Sequence, residues 1–73
     1  MLVFNEHLRS IRKSKKVTQK QVAQGIGLAE RHYQAWELGS YKPGFDALIA
    51  LADYFDVSLD YLVGRTDKPE VNR

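Results

Sequence analysis

The 73-residue sequence contains no cysteine. It therefore has neither a disulfide framework nor a thiolate zinc site, the two devices that stabilise many small secreted domains. It also has no apolar run near the ~18 residues that span a membrane, and its apolar N-terminal segment is too short for a signal sequence. We expect a soluble cytoplasmic protein that does not contact membranes.

The sequence also lacks the residue groupings that catalysis requires. His7, expected at the surface, and His32 are isolated from each other and from any paired carboxylates. Residues 25–27, Gly-Ile-Gly, lack the third glycine and the preceding strand of a dinucleotide-binding loop. A chain of this length leaves little room for an enclosed substrate pocket. These absences favour a binding module over an enzyme, and we expect no metal, no cofactor and no small-molecule ligand.

Charge is unevenly distributed along the chain, although the net charge is only +2. Residues 1–20 contain six basic residues and one acid, whereas residues 21–73 contain five basic and eight acidic residues. The first segment thus carries a net charge of +5 and the second a net charge of −3. Such an excess of one sign in one region is typical of a contact with nucleic acid or another anionic surface.

Apolar residues recur three and four positions apart, and no run alternates as a β-strand does. The sequence therefore predicts an all-α fold of five short helices. Asn5 is expected to cap a first helix that ends near Ser14. The other helices are expected at 19–25, 29–38, 45–55 and 59–63. The predicted core stripe of the fourth helix consists of Phe45, Leu48, Leu51, Ala52 and Phe55.

The second and third predicted helices are joined by a short turn that contains Gly27. Two short helices joined in this way form a helix-turn-helix, whose second helix enters the major groove of DNA. At about 100° per residue, the third helix has one mainly polar side and one apolar, aromatic side. The polar side carries Glu30, Arg31, Gln34, Ala35 and Leu38. The other side is expected to carry Ala29, His32, Tyr33 and Trp36.

This segment belongs to a longer string of residues at fixed spacing. The string consists of Val17-Thr18-Gln19, Val22-Ala23, Gly27-Leu28, Tyr33, Trp36-Glu37, Gly39, Pro43, Leu48, Leu51-Ala52, Phe55, Val57-Ser58 and Asp60-Tyr61-Leu62-Val63-Gly64. It resembles the helix-turn-helix of the phage repressor/Cro type, the Xre family, over residues 5–65.

The resemblance implies a fold and a function for the whole chain. It implies a compact five-helix domain at 1–65, with the helix-turn-helix proper at 18–38, followed by a loose tail at 66–73. It further implies a transcriptional regulator, typically a repressor, that binds a pseudo-palindromic operator in double-stranded DNA as a homodimer.

The resemblance also implies roles for individual residues. Base contacts fall to Glu30, Arg31, Gln34 and Ala35. Phosphate contacts fall to Thr18, Gln19, Trp36 and Lys42. Arg12 and Glu37 occupy the positions of a buried ion pair that ties the first helix to the third.

The chemistry of these side chains suits the implied roles. Arg31 can donate two bonds to guanine, Gln34 can pair with adenine, and Glu30 can accept from cytosine. The Ala35 methyl group can meet the methyl group of thymine. The indole N–H of Trp36 can reach a phosphate, although an aromatic side chain at this spacing is also typical of a core.

Two alternatives stay open at this level. A helix-turn-helix can instead contact protein, as an antitoxin-like or anti-repressor subunit, and the acidic second segment of the chain fits that function. The dimer contact is expected at the last helix, through Tyr61, Leu62 and Val63 with the tail, and at Leu2-Val3-Phe4. These same residues are also suited to closing the core of a monomer.

Overall fold

The computed structural model describes residues 3–71, which form five α-helices and no strand. The helices are α1 (Phe4–Ser14), α2 (Gln19–Gly25), α3 (Glu30–Leu38), α4 (Phe45–Phe55) and α5 (Leu59–Leu62). The predicted all-α, five-helix fold is confirmed, and each helix begins and ends within two residues of its predicted bounds.

Local capping chemistry sets three of the helix ends. Thr18 Oγ1 accepts the N–H of Gln21 at 3.1 Å, and Gln21 Oε1 accepts the N–H of Thr18 at 2.8 Å, which forms a reciprocal capping box. Ser58 Oγ accepts the N–H of Tyr61 at 3.0 Å at the start of α5. Gly39 ends α3 at φ +83°, in the left-handed region that glycine adopts without strain.

The start of α1 differs from the prediction. Val3, not Asn5, occupies the N-cap position, and it makes no side-chain capping bond. Asn5 lies inside the first turn, where its amide donates to the carbonyl oxygen of Glu37 at 3.3 Å. The side chain of Asn5, which the local sequence predicts as a helix cap, thus makes a tertiary contact with α3 instead.

One apolar cluster fills the space between the helices. Its buried members are Leu8, Ile11, Val22, Ala23, Tyr33, Trp36, Leu51, Ala52, Phe55, Val57 and Leu62. α3 packs against both α1 and α2, while α5 packs against α4. The prediction of Phe45 as a core residue is wrong, since its side chain is 68% exposed. Phe45 shares a side of α4 with the buried Ala52, seven residues later, but it lies in the first turn of the helix, where the core does not cover it.

The expectation of a surface histidine in α1 is also wrong. His7 is half-buried, and its Nε2 lies 2.7 Å from the carbonyl oxygen of Tyr61. Because a carbonyl can only accept, this ring nitrogen is the donor. The imidazole ring of His7 and the phenol ring of Tyr61 also meet edge to face, with their centroids 5.2 Å apart. His7 therefore joins α1 to α5.

α2 meets α4 at a point that leaves no room for a side chain. A Cβ built on Gly25 would lie 2.7 Å from Cδ1 of Tyr54 and closer still to Cε1. The Tyr54 ring itself packs edge to face on Phe55, with centroids 5.3 Å apart. The missing side chain at Gly25 thus lets the Tyr54 ring approach the end of α2.

We expect Gly25→Ala to lower the free energy of unfolding by about 1–3 kcal/mol, because the new methyl group displaces the Tyr54 ring. Without that ring, the better helix propensity of alanine should stabilise the chain by up to about 1 kcal/mol. Urea unfolding of Gly25→Ala in the parent and in a Tyr54→Ala background measures both effects. An equal loss in the two backgrounds would contradict the contact.

Candidate nucleic-acid interface

The turn between α2 and α3 fixes the direction in which α3 leaves the body of the protein. Gly27 adopts φ +77°, a backbone angle that residues with a Cβ atom rarely adopt. The N–H of Leu28 then donates to the carbonyl oxygen of Ala23 at 2.8 Å, and the N–H of Gly27 donates to that of Gln24 at 3.3 Å. Leu28 is half-buried and anchors the turn on the core.

α3 presents the predicted base-contacting residues to different extents. Glu30 and Arg31 are exposed, whereas Gln34 and Ala35 are half-buried. Gln34 Nε2 donates to Glu30 Oε2 at 3.2 Å, so these two side chains are already engaged with each other. Arg31 forms no ion pair with any of residues 3–71. Its guanidinium is therefore the cationic fork that α3 offers to a ligand.

His32 was predicted on the apolar side of α3, and this placement is wrong. Its side chain is exposed, while the neighbouring Tyr33, Trp36 and Glu37 are buried. The buried arc of α3 is thus narrower than the aromatic pattern indicates, and His32 extends the exposed side of the helix. Together with Leu28, Trp36, Tyr41 and Lys42, it lines a surface hollow of about 400 Å³.

The four residues expected at phosphates occupy different environments. Thr18 is exposed and Lys42 is exposed in the loop between α3 and α4. Gln19 is half-buried, and its Nε2 donates to Glu37 Oε1 at 3.0 Å. Trp36 is 8% exposed and packs edge to face on Tyr33, as a core residue does. Trp36 and Lys42 nevertheless border the same hollow, so the structure brings them together at the surface.

Glu37 is fully buried and is held by side chains from two other helices. Arg12 Nε donates to Glu37 Oε2 at 2.6 Å, and Arg12 Nη2 donates to Oε1 at 3.2 Å. Gln19 is the second donor to Oε1, and Arg9 Nε lies 3.6 Å from the same oxygen. The Arg12 guanidinium also reaches the carbonyl oxygen of Val17 at 2.9 Å, which holds the segment before α2. The carboxylate thus joins α1, α2 and α3.

The backbone of Glu37 is bound as well. Its carbonyl oxygen, one of the four at the end of α3 without a helical partner, accepts from Asn5 at 3.3 Å and from Arg9 Nη2 at 3.0 Å. Neither residue was predicted at this site from the sequence. A signal was present, because Asn5, Arg9 and Arg12 are spaced four and three apart and so share one side of α1.

These contacts decide the charge of the buried groups. Burial by itself raises the pKa of Glu37, but the hydrogen bonds from Arg12 and Gln19 hold the pKa of this carboxyl below its ordinary value. The buried Tyr33 hydroxyl makes no hydrogen bond of ordinary geometry within the described residues. Burial, and then the charge of Glu37, raise the pKa of Tyr33 above its usual range. Glu37 is therefore ionised and Tyr33 neutral near pH 7.

Glu37→Gln is expected to lower the free energy of unfolding by about 3–5 kcal/mol at pH 7, because it leaves the Arg12 charge unpaired. Since folding lowers the pKa of Glu37, its ionised form contributes stability above the ordinary carboxyl value of ~4.3 and loses it as the pH falls further. The difference between parent and variant should therefore shrink below pH ~4.3.

Urea unfolding of both chains between acid and neutral pH checks this expectation, with the exposed Asp53→Asn as the matched control. If the difference in the free energy of unfolding between parent and variant stays constant through the acid range, the charge of Glu37 does not stabilise the folded chain.

The chemistry available at this surface is that of hydrogen bonding and charge. Among residues 3–71 no group of three or more histidine, aspartate or glutamate side chains could hold a metal ion. None of the helices in that range is long and apolar enough to cross a membrane. What α3 and its flanks offer are a guanidinium, amides, a carboxylate and a lysine, which are the groups that contact base edges and phosphates.

Comparison with known proteins gives a consistent result. Residues 8–62 match the family model HTH_3, Helix-turn-helix. The chain is 43% identical over 68 residues to the uncharacterized HTH-type transcriptional regulator YobD of Bacillus subtilis, a match that covers 93% of this chain and 61% of YobD. It is 37% identical over 62 residues to the cryptic phage CTXphi transcriptional repressor RstR of Vibrio cholerae, covering 85% of this chain and 55% of RstR.

Two solved structures have a similar fold. The P22 c2 repressor, crystallised in complex with the synthetic operator 9T, superposes with a TM-score of 0.79 at 27% identity, over 86% of this chain and 96% of the repressor chain. A transcriptional regulator from Listeria innocua superposes with a TM-score of 0.77 at 34% identity, over 85% of this chain and 58% of that regulator. The chain spans little more than half the length of the curated relatives that it matches.

Proposed function

The chain belongs to the Helix-turn-helix family, and we propose that it binds a pseudo-palindromic operator in double-stranded DNA as a homodimer and so regulates transcription, as a repressor. Family membership also places it with transcriptional regulators rather than with enzymes. The site of this activity is the bacterial cytoplasm, where the operator lies.

The observation that carries this proposal is the exposed side of α3. The Gly27 turn and the buried Glu37 hold this helix in place, and Arg31 extends from it without an ion pair among the described residues. In the major groove Arg31 would donate to guanine O6 and N7. Gln34 and Glu30, engaged with each other at 3.2 Å, would read adjacent bases as a pair, and Ala35 would meet a thymine methyl group.

Phosphate contacts would hold α3 in register on the duplex. At the start of α2 the capping box engages the N–H of Gln21, which leaves those of Gln19 and Lys20 as donors to a phosphate, next to Thr18. On the other flank the Lys42 ammonium and the edge of Trp36 border one hollow. Contacts on both flanks are typical of a helix that lies in the groove between two backbones.

Two copies would read two half-sites. Each copy has one α3 and its described residues measure 30 × 26 × 24 Å, so two half-sites ~34 Å apart, one DNA turn, would need two copies. Of the expected dimer residues, Tyr61 and Val63 are half-buried and Leu62 is fully buried in the monomer core. Leu62 thus serves the core, and Leu2 lies outside the described residues.

Selection of bound sequences from random duplex DNA tests the proposal. The parent should enrich a two-fold symmetric motif, and Arg31→Ala should lose the preference at one base of each half-site, because a bidentate contact discriminates by about 1–3 kcal/mol. Gln34→Ala should relax a different base. Arg65→Ala, which removes an exposed arginine outside the helix-turn-helix, is the matched control. If Arg31→Ala and Gln34→Ala select the same motif as the parent, the base assignments are wrong.

Salt dependence tests the phosphate contacts separately. The slope of log affinity against log salt concentration should fall in magnitude by about 0.9 in Lys42→Ala, because one counterion-releasing contact is lost. Lys68→Ala, an exposed lysine in the C-terminal segment, should leave the slope unchanged. A parent that enriches no motif and binds duplex independently of salt would instead support the protein-contact function.

A further inference from the structure

The hollow of about 400 Å³ beside α3 combines apolar and polar groups. Its lining consists of Leu28, His32, Trp36, Tyr41 and Lys42. Leu28, Trp36 and Tyr41 supply apolar and aromatic surface, whereas His32 and Lys42 supply nitrogen atoms that can donate hydrogen bonds. His32 and Lys42 are both exposed, so a ligand can reach them from solvent.

A sugar–phosphate unit of a DNA strand has the same division. The deoxyribose carbons are apolar, and the phosphate oxygens are negatively charged and accept hydrogen bonds. The Lys42 ammonium is complementary in charge to that phosphate. When α3 lies in the groove, a backbone strand runs along its flank, and the hollow opens on that flank between α3 and the loop after it.

The titratable groups around His32 offer it no partner for a positive charge. Lys42 and Tyr41 face it from the loop, and Arg31 precedes it on α3. Glu30 lies two positions earlier, about 160° away around the helix axis. No ion pair within residues 3–71 involves His32. The counter-charge for a protonated imidazole at this position therefore has to come from a ligand.

We propose that this hollow binds a sugar–phosphate unit of the operator and that His32 takes up a proton to donate to the phosphate, which makes DNA affinity depend on pH. The proposal rests on the DNA binding proposed above and adds a regulated contact to it. Histidine is the side chain that ordinarily changes charge near pH ~6.5. A phosphate beside it favours the imidazolium, so binding takes a proton from solvent and affinity rises as the pH falls through this range.

The composition of the chain makes such a pH dependence assignable. Carboxylates ordinarily titrate near pH ~4, and tyrosine, lysine and arginine at pH ~10 or above, so histidine is the side chain that changes charge between pH ~5.5 and ~8. The chain contains two histidines. The other one, His7, lies on α1, where its Nε2 donates to the carbonyl oxygen of Tyr61. The hollow that His7 lines shares none of the described residues with the hollow beside α3.

Fluorescence titration of a labelled duplex that carries the motif enriched by the parent tests the proposal at constant salt. Parent affinity should rise by about tenfold or more between the alkaline and acid ends of this range, because a cationic donor binds phosphate more strongly than a neutral one. His32→Gln keeps an N–H donor but takes up no proton, so its affinity should change little. His7→Gln, which keeps a donor for Tyr61, is the matched control and should follow the parent.

A permanent charge at the same position gives the opposite readout. His32→Lys should bind at the alkaline end with the affinity that the parent reaches at the acid end, because its ammonium stays charged throughout. The slope of log affinity against log salt concentration should be larger in magnitude by about 0.9 at the acid end for the parent and constant for His32→Gln. Circular dichroism melting of each variant at both ends checks that the fold is intact.

The outcomes separate this proposal from the proposed function. Equal pH profiles of the parent and His32→Gln would overturn the proposal and leave operator binding intact. A pH dependence that His7→Gln abolishes and His32→Gln retains would overturn it as well. A parent that binds the duplex at neither end of the range would contradict the proposed function, and this proposal with it.

Discussion

The carboxylate of Glu37 has no access to solvent and lies where three helices meet. A buried charge is tolerated only when donors surround it. Arg12 supplies two bonds from α1 and Gln19 supplies one from α2, while the Glu37 carbonyl oxygen accepts from Asn5 and Arg9. None of these bonds can form unless α1, α2 and α3 adopt one mutual arrangement. The position of the exposed side of α3 therefore depends on this site.

The Glu37 site also engages two of the basic residues of the N-terminal region. Arg12 binds the buried carboxylate of Glu37, and Arg9 binds the carbonyl oxygen of Glu37 at the end of α3. Part of the net positive charge of residues 1–20 is therefore engaged in contacts within the protein. The lysines that remain exposed lie in α1, in the segment after it and in α2, namely Lys13, Lys15, Lys16 and Lys20. The chain thus separates cations that hold the helices together from cations that face solvent. The exposed acids of α4, Asp46 and Asp53, lie on a different helix from these lysines.

The limits of sequence reasoning follow from the range of the interactions. The five-helix fold was predicted because periodicity is a local property of the sequence, and the caps at Thr18, Ser58 and Gly39 likewise depend on residues within one turn. Asn5 and His7 were misplaced because their partners, Glu37 and Tyr61, are 32 and 54 residues away. Phe45 was placed in the core because its spacing fits the stripe, although at the first turn of α4 there is no neighbouring helix to cover it. The Arg12–Glu37 pair was assigned through a family resemblance, and spacing alone would not have identified it.

The central claim is that Glu37 is an ionised, buried carboxylate held by donors from α1 and α2. Carbon-13 NMR of the Glu37 side-chain carboxyl during an acid titration tests this claim most directly. The account predicts that the resonance keeps the position of an ionised carboxylate through pH ~4.3, the ordinary value for glutamate, and changes only at lower pH as the chain unfolds. A carboxyl that takes up its proton at or above pH ~4.3 while the chain stays folded would contradict the account.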